Sequence, residues 1–373
     1  MTIAVGAPAQ HTTHRRLLDE VGAGRQAGPE ADLDAIIVPN GRAESALSHA
    51  YDVAREIGVP LLLLCSHDAN SARAVLAAKE AGAQAVAIDT DHVRPGAVPR
   101  FATTRLLARH DLLRAADTSF KRNLGLLVAG LSGWNRVLFL DDDITLPRPA
   151  DLREAAGLLD RYAAVGLTNT GMPDNSVVCH AYRESGGRQD TFVGGGALVV
   201  SDRCFGSFFP DVYNEDWFFL LDDTGLRSTA LTGSARQEEY DPYNPVRAES
   251  EELGDTLAEG VYGLLDQGLD PAAATEAYWE RFLRSRRTFI RTALCQVQVA
   301  TGLAQDRRED MIVALRSALR RNEERLTPAL CAAYLQAWRE DRATWRTHLA
   351  ELRGRYDGDA FHTLGIAGLV QRT

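Results

Sequence analysis

The chain has 373 residues, of which 45% are hydrophobic and 25% charged, an ordinary composition for a folded globular protein. Its formal net charge of -10 argues against a nucleic-acid-binding protein, whose binding face is usually basic. No apolar stretch approaches the roughly 20 residues that span a membrane, and the first thirty residues lack the apolar core of a signal peptide. The five cysteines form no CxxC pair, which favours neither a zinc site nor a disulfide framework. We therefore expect a reduced, cytoplasmic protein.

Short apolar segments alternate with segments of helical spacing along most of the chain. Strand–helix units of this kind predict a parallel sheet with helical crossovers. Residues 1–30 are interpreted as a disordered leader, 31–250 as an α/β domain and 251–373 as an all-helical region. The predicted strands are 34–39, 60–65, 85–88, 136–140, 164–168, 176–182 and 197–200. The predicted helices are 45–57, 71–81, 119–131 and 150–162, followed by further helices over 271–353.

Three consecutive carboxylates, Asp141, Asp142 and Asp143, end the apolar run at 137–140. They would repel one another unless a positive charge lay between them. A divalent cation that arrives with a phosphate-bearing substrate meets this need, because hard cations prefer carboxylate oxygens. Alternate residues of extended backbone project to the same side, so Asp141 and Asp143 should share one. The cluster predicts an enzyme that acts on a nucleotide or sugar phosphate.

Polar residues also follow the other predicted strands. In open parallel sheets, ligands bind at the carboxyl ends of the strands, so these residues should converge on one edge. The alternative is that they belong to ordinary solvated loops. The candidates for ligand binding at these strand ends are Pro39, Asn40, Arg42, Ser66 and Asp89.

A second acidic pair, Glu215 and Asp216, precedes the aromatic run 217–219. The aromatic residues should anchor this segment in the core, and a carboxylate held beside a pocket suits a general base. The alternative interpretation is a helix that carries acids at its N-terminus, where they complement the helix dipole.

The order of these segments resembles the GT-A-fold glycosyltransferases of the family-2 type, which use nucleotide sugars, over roughly residues 34–245. Residues 36–40 resemble the opening strand of that family, and 121–125 its helix segment before the metal motif. Asp141–Asp143 looks like the DxD motif, and 194–197 like the glycine-rich segment beside the donor sugar. Residues 214–217 are similar to the ED motif, whose Asp is the base in inverting members.

The resemblance implies a Rossmann-like, mostly parallel sheet flanked by helices, with the helical region following it. It implies that Asp143, assisted by Asp141, ligates Mn²⁺ or Mg²⁺, and that Asp216 is the base in an inverting transfer, with Glu215 orienting it or the acceptor. The donor would be a UDP- or GDP-sugar, and a small-molecule acceptor is favoured over a polymer, with no nucleic acid and no integral membrane contact. The further residues expected around the donor are Lys121, Asn123, Asp142, Gly195 and Gly196.

One departure from the family pattern concerns the metal. Many relatives supply a further ligand, often histidine, after the ED motif, but no histidine occurs here between His180 and His348. The possible substitutes, which could equally form a solvated acidic loop, are Gln237, Glu238, Glu239 and Asp241.

Three other functions share parts of this pattern. Asp141-x-Asp143-x-Thr145 matches the nucleophile motif of haloacid-dehalogenase phosphatases, but that family places it on the first strand, and here three predicted strands precede it. A sugar-phosphate nucleotidyltransferase shares the sheet and the metal chemistry, yet residues 40–43 match its opening loop poorly. A non-catalytic nucleotide-sugar-binding protein would have no use for both acidic segments.

Overall fold

The computed structural model describes residues 13–22, 29–172, 176–190 and 192–373. Within these ranges the chain forms a ten-stranded sheet with helices on both faces. The strands run in the order β1-β9-β7-β8-β5-β2-β3-β4-β10, and β6 pairs with β9. Their bounds are β1 Asp19–Glu20, β2 Ala35–Asn40, β3 Leu61–Cys65, β4 Ala85–Asp89, β5 Arg136–Leu140, β6 Ile144–Thr145, β7 Ala164–Gly171, β8 Ala197–Ser201, β9 Thr229–Gln237 and β10 Val370–Arg372.

The helices of the described ranges are connected by short 3-10 turns and loops. None of them is long and apolar enough to cross a membrane. Their bounds are α1 Ser48–Ile57, α2 Ser71–Glu80, α3 Ala102–Arg109, α4 Thr118–Ser132, α5 Asp151–Leu158, α6 Val177–Glu184, α7 Glu215–Leu220, α8 Pro245–Leu265, α9 Glu276–Val299, α10 Gln305–Arg325, α11 Pro328–Gly354 and α12 Ala360–Thr363.

The central strands are buried on both faces, as their apolar runs predict. Successive residues of β2 alternate between two cores: Ile36 packs with α1, α2 and α5, whereas Ile37 packs with α4 and the C-terminal helices. β3 and β5 alternate in the same way. The sheet therefore separates two hydrophobic layers, and only the ends of its strands are available for a polar site.

The prediction of a mostly parallel sheet is wrong, because the sheet is mixed. β4, β3, β2 and β5 run parallel, as expected from the strand–helix repeat. β8, however, is antiparallel to both β5 and β7, and the edge strands β6 and β10 are antiparallel to their partners. A fully buried antiparallel strand such as β8 has the same continuous apolar pattern as a parallel one, so composition alone does not reveal its direction.

One further prediction is wrong, and one strand was not predicted. Residues 176–182 form helix α6, not a strand; the Ser176 side chain caps it by accepting from the amide of Cys179, and its buried residues pack against α9 and α10. Its run of β-branched residues resembles a strand, but tertiary packing overrides that preference. The long strand β9 was missed because Gly233 and polar residues interrupt its apolar pattern.

The N-terminal segment is ordered where it is described, so the predicted disorder does not hold for residues 13–22. β1 pairs with β9, and His14 lies buried between Glu259 and Asp266 of the C-terminal region. Burial alone would lower the pKa of His14, but these two carboxylates outweigh it and raise the pKa to about 9. The rest of the predicted leader, apart from 29–30, lies outside the described residues.

The helical region begins at Pro245, where Asn244 caps α8, so the boundary predicted at 250 falls inside a helix. α8 packs directly on the segment that carries the second acidic pair: a Cβ added at Gly254 would lie 2.1 Å from the carbonyl oxygen of Tyr213. A buried network anchors this contact. Arg286 of α9 binds Glu252 and Asp255 of α8, and Asp255 accepts from Asn214 at 3.3 Å.

Candidate functional site

The strand ends meet along one edge of the sheet, as predicted. Asn40 pairs with Cys65, which pairs in turn with Asp89. Asp141 follows β5 on the same edge, and its backbone N–H donates to the carbonyl of Gly196 at 2.9 Å. The glycine-rich segment 194–196 therefore lies beside the triple aspartate.

Arg122, in the first turns of α4, joins the two acidic segments. One terminal nitrogen donates to both carboxylate oxygens of Asp141 at 2.8 Å, and the other donates to Glu215 at 2.8 Å. Only 3% of this arginine is exposed. Burial alone would lower its pKa, but Asp141, Glu215 and Asp216 together raise it, so the guanidinium stays charged. Arg122 belongs to the segment 121–125 that resembles the family's helix before the metal motif, but no individual role was predicted for it, unlike its neighbours Lys121 and Asn123.

Steric crowding explains why residues 195 and 196 are glycines. A Cβ added at Gly195 would lie 2.6 Å from a terminal nitrogen of Arg122, and one at Gly196 would lie 3.0 Å from Ile144 and 3.3 Å from Asp141. Gly194, in contrast, has nothing within 4 Å of that position. Gly195 and Gly196 thus let the backbone approach the charged cluster closely.

Asp216 is held by backbone amides at the start of α7. The N–H of Gly195 donates to one carboxylate oxygen at 2.5 Å, and the N–H of Trp217 donates to the other at 2.9 Å. Burial raises the pKa of Asp216 to about 7; Glu215 adds to the rise and Arg122 opposes it. A carboxylate with a pKa near neutrality is well matched to proton transfer at physiological pH.

The neighbouring Glu215 forms ion pairs with two arginines, because Arg122 binds its carboxylate at 2.8 Å and Arg114 lies 3.7 Å from it. Asn214 precedes this pair with a φ of 61°, in the left-handed region, where asparagine is one of the better tolerated residues. The Asp255 contact to its side chain fixes that turn. The alternative prediction, acids at a helix N-terminus, describes the position correctly, since α7 begins at Glu215.

The three aspartates differ in their partners. Asp141 is bound by Arg122 and Asp142 by Arg42, whose Nε lies 3.0 Å from it. Asp143 forms no ion pair among the described residues, and its closest side-chain partner is the Gln237 amide at 3.5 Å. The pKa of Asp143 is raised to about 6, mainly by burial. Asp141 and Asp142 add to the rise, and Arg42 and Gln237 oppose it. Of the three carboxylates, Asp143 is therefore the one without an ion pair in the described ranges, although the charge of Arg42 also acts on it.

The residues fit a divalent cation only in part. Within the described ranges, no group of three or more His, Cys, Asp or Glu side chains is placed to hold a metal. Mg²⁺, however, is commonly bound by one or two carboxylates together with substrate phosphates, and Asp143 meets that requirement. Of the possible further ligands, Gln237 contacts Asp143, Glu238 pairs with Arg42 and Asp241 with Arg307, while Glu239 lines a separate surface groove.

One cavity of about 190 Å³ brings together members of the three segments. Besides Asp141, Gly194–Gly196 and Glu215–Asp216, it is lined by Asn169, Tyr240 and Arg247, which the sequence interpretation did not identify. The Tyr240 hydroxyl contacts His180 at 3.1 Å and Arg247 at 3.0 Å. Burial, Arg247 and Arg183 lower the pKa of His180 to about 3, so its ring is neutral.

Other predicted residues do not line this cavity. Asn123 uses both ends of its amide on the backbone of Phe209, at 2.7 and 2.8 Å, which indicates a structural role. Lys121 donates to the carbonyl of Asn40 at 3.0 Å and pairs with Asp117.

Ser66 is buried at the edge, and its hydroxyl has no partner among the described residues. Arg42 is an exposed cation at this edge. Pro39 and Asp89 lie at the ends of β2 and β4, where Asp89 pairs with His92 at 3.0 Å.

Neither a protein-family model nor a curated protein matches this sequence. Among solved structures, the chain is similar to a mannosyltransferase from Pyrobaculum calidifontis in complex with GDP-Man and Mn²⁺, at 13% sequence identity and a TM-score of 0.39. The match covers 95% of this chain and 92% of that one. A likeness this low establishes no common function, so the function is inferred from the site itself.

Proposed function

We propose that this protein is a metal-dependent glycosyltransferase of the GT-A type, which transfers a sugar from a nucleoside-diphosphate sugar to an acceptor hydroxyl with inversion. The observation that carries the proposal is one arrangement: Asp141, Gly195 and Asp216 line the same cavity, and Asp143 follows Asp141 by two residues in the same acidic segment. It combines a carboxylate that needs a cation, a close backbone approach and a carboxylate suited to act as a base.

The donor would lie along the strand ends. Arg42 is the exposed cation there, and it would exchange its contacts with Asp142 and Glu238 for a phosphate. Asp143 would hold Mn²⁺ or Mg²⁺, and a bound divalent cation supplies the positive charge that neutralises a leaving diphosphate. Because Arg122 engages both oxygens of Asp141, we assign that carboxylate to charge balance within the site instead of metal binding.

The acceptor would lie beside Asp216. Its hydroxyl proton passes to the Asp216 carboxylate while its oxygen bonds to the anomeric carbon, and the bond from that carbon to the diphosphate oxygen breaks. The amides of Gly195 and Trp217 orient the carboxylate without protonating it. Arg122 holds Glu215 away from the reacting atoms and thereby limits the repulsion that would raise the pKa of Asp216 further.

A donor panel tests this proposal. The protein is incubated with UDP- and GDP-sugars with and without Mn²⁺, and the released phosphates are identified. Release of nucleoside diphosphate that requires the metal and is lost in Asp143→Ala supports the transferase. Asp216→Ala should still bind the donor but should not release nucleoside diphosphate from it. Asp160→Ala is the matched control, because Asp160 is exposed and pairs with Arg136 at the start of β5, the end of the strand away from Asp141. Release of pyrophosphate would indicate the nucleotidyltransferase instead, and saturable binding without turnover a binding protein.

A further inference from the structure

A second cavity, of about 560 Å³, lies beside the start of α4. Its volume falls in the range of small-molecule sites, about 300–1,000 Å³. It is enclosed by the loop 93–101, helix α3 and residues 209–211. The inner surface is largely apolar, with Val98, Phe101 and Phe209 buried in the protein core beneath it. This cavity therefore offers an apolar floor that an aromatic ring or a short chain would cover.

The rim of this second cavity is positively charged. Arg94, Arg100 and Arg105 all line it and are exposed. Within the described ranges neither Arg94 nor Arg100 forms an ion pair, and Arg105 donates to the carbonyl of Arg100 at 2.9 Å. Many other arginines of this chain do bind carboxylates, as Arg42, Arg122 and Arg286 illustrate. Arg94 and Arg100 therefore border an apolar floor without an ion pair in the described ranges, and Arg105 beside them also acts on the carboxylate of Asp341. The net charge of the whole protein, in contrast, is -10.

The acids of the same cavity do not neutralise this rim. Asp117 is engaged by Lys121 at 3.1 Å and lies 3.6 Å from His67. Burial raises the pKa of Asp211 to about 6, although Arg114 opposes the rise. The raised pKa means that Asp211 carries less negative charge near neutral pH than an ordinary aspartate. An anion that entered the cavity would thus meet an excess of positive charge at its mouth.

We propose that this cavity binds a small amphipathic anion. Its apolar ring or chain would cover Val98, Phe101 and Phe209, and its carboxylate, sulfate or phosphate group would be held by Arg94 and Arg100. The two cavities are lined by nearby parts of the chain: Asn123 and Asp211 line this one, and Arg122 and Asp216 line the proposed active site. Ligand binding in this cavity does not depend on the proposed transfer reaction.

Two related probes test the proposal. The fluorescent anion 8-anilino-1-naphthalenesulfonate has an aromatic body and a sulfonate, and N-phenyl-1-naphthylamine has the same aromatic system without the charge. We expect saturable binding of the anion to a single site on the native protein, and weaker binding of the neutral probe. The double variant R94E/R100E should bind the anion at least roughly tenfold less tightly, because both cations that would hold the sulfonate are replaced by carboxylates that repel it. Its affinity for the neutral probe should be unchanged.

Two further variants separate charge from shape. R73E/R316E makes the same change in net charge at exposed arginines outside the cavity and should leave both affinities unchanged. Thr104→Trp fills the cavity and should weaken both probes. Far-UV circular dichroism and thermal unfolding verify that each variant is folded, because loosely packed states also bind the anionic probe. If R94E/R100E does not fold, R94Q/R100Q removes the charges without reversing them.

Two results would overturn the proposal. The first is equal affinity for the anion in R94E/R100E and R73E/R316E, which would exclude the arginine rim as its binding group. The second is binding of the native protein to phosphatidylglycerol vesicles that is lost in R94E/R100E, without saturable binding of the soluble probe. That result would assign these arginines to a membrane surface.

Discussion

The guanidinium of Arg122 binds both carboxylate oxygens of Asp141 through one nitrogen, at 2.8 Å. Because its other terminal nitrogen binds Glu215, a single side chain connects the strand-end aspartates with the segment that carries Asp216. Removal of either partner from such a buried group leaves an uncompensated charge, so the connection is a structural requirement as well as an electrostatic one.

Arg122→Met should destabilise the protein and abolish donor turnover. The variant leaves Asp141 and Glu215 without their cation in a partly buried site, which costs about 3 kcal/mol. Arg122→Lys keeps the charge but not the planar fork, so its unfolding free energy should lie between those of Arg122→Met and the native protein. Urea unfolding measures the difference. Equal stability of the native protein and Arg122→Met would contradict the described pairing.

Gly195→Ala should impair the site, whereas Gly194→Ala should not. The new Cβ at position 195 would lie 2.6 Å from Arg122, but the one at 194 meets nothing within 4 Å. We expect Gly195→Ala to lose about 1–3 kcal/mol through crowding and to lower donor turnover, because Arg122 must move. Thermal unfolding and nucleotide release compare the two variants. Indistinguishable variants would show that the close approach at Gly195 is not needed.

Turnover should rise with pH as Asp216 ionises. The proposed base acts only when deprotonated, and its pKa is raised to about 7, so kcat should increase as the pH passes through neutrality. Asp216→Asn should abolish this turnover at every pH. Initial rates at saturating donor and acceptor test this, with Asp160→Asn as the control. A profile that is flat across neutrality would argue against Asp216 as the base.

Stability should depend on Asp216 in the opposite sense. Its pKa is higher in the folded protein than the ordinary 3.8, so the folded state binds more protons between these values. Folding therefore loses stability as the pH rises from about 4 to about 7. The unfolding free energy of Asp216→Asn, relative to that of the native protein, should increase over this window. Urea unfolding at several pH values measures it, and a constant difference would contradict the raised pKa.

His14→Gln should destabilise the protein mainly at low pH. The pKa of His14 is raised from 6.5 to about 9 in the folded protein, so the stabilisation by its charge is complete below 6.5 and is lost as the pH rises through 9. The difference between variant and native protein should reach up to about 3 kcal/mol in the acidic range, since each pKa unit corresponds to about 1.4 kcal/mol. Unfolding midpoints below and above this window test it. Thr13→Ala, at the adjacent position, is the control.

The local pattern of the chain was sufficient for much of the fold. β2, β3, β4 and β5 were predicted within one or two residues, because continuous apolar runs bounded by turn residues are a short-range signal. The acidic segments 141–143 and 215–216 were found for a similar reason, since each of them directly borders an apolar or aromatic run in the sequence.

The sequence alone determined where the acidic segments and the strand ends lie along the chain, because both depend only on short runs of adjacent residues. Only the tertiary structure decided which acids form ion pairs: Arg42 and Arg122 bind Asp142 and Asp141 from distant elements, and Asp143 forms none in the part of the chain that the structure describes. It also decided the direction of β8 and the recruitment of Arg247 to the cavity. These outcomes depend on contacts between residues far apart in the chain, which no local period or spacing encodes.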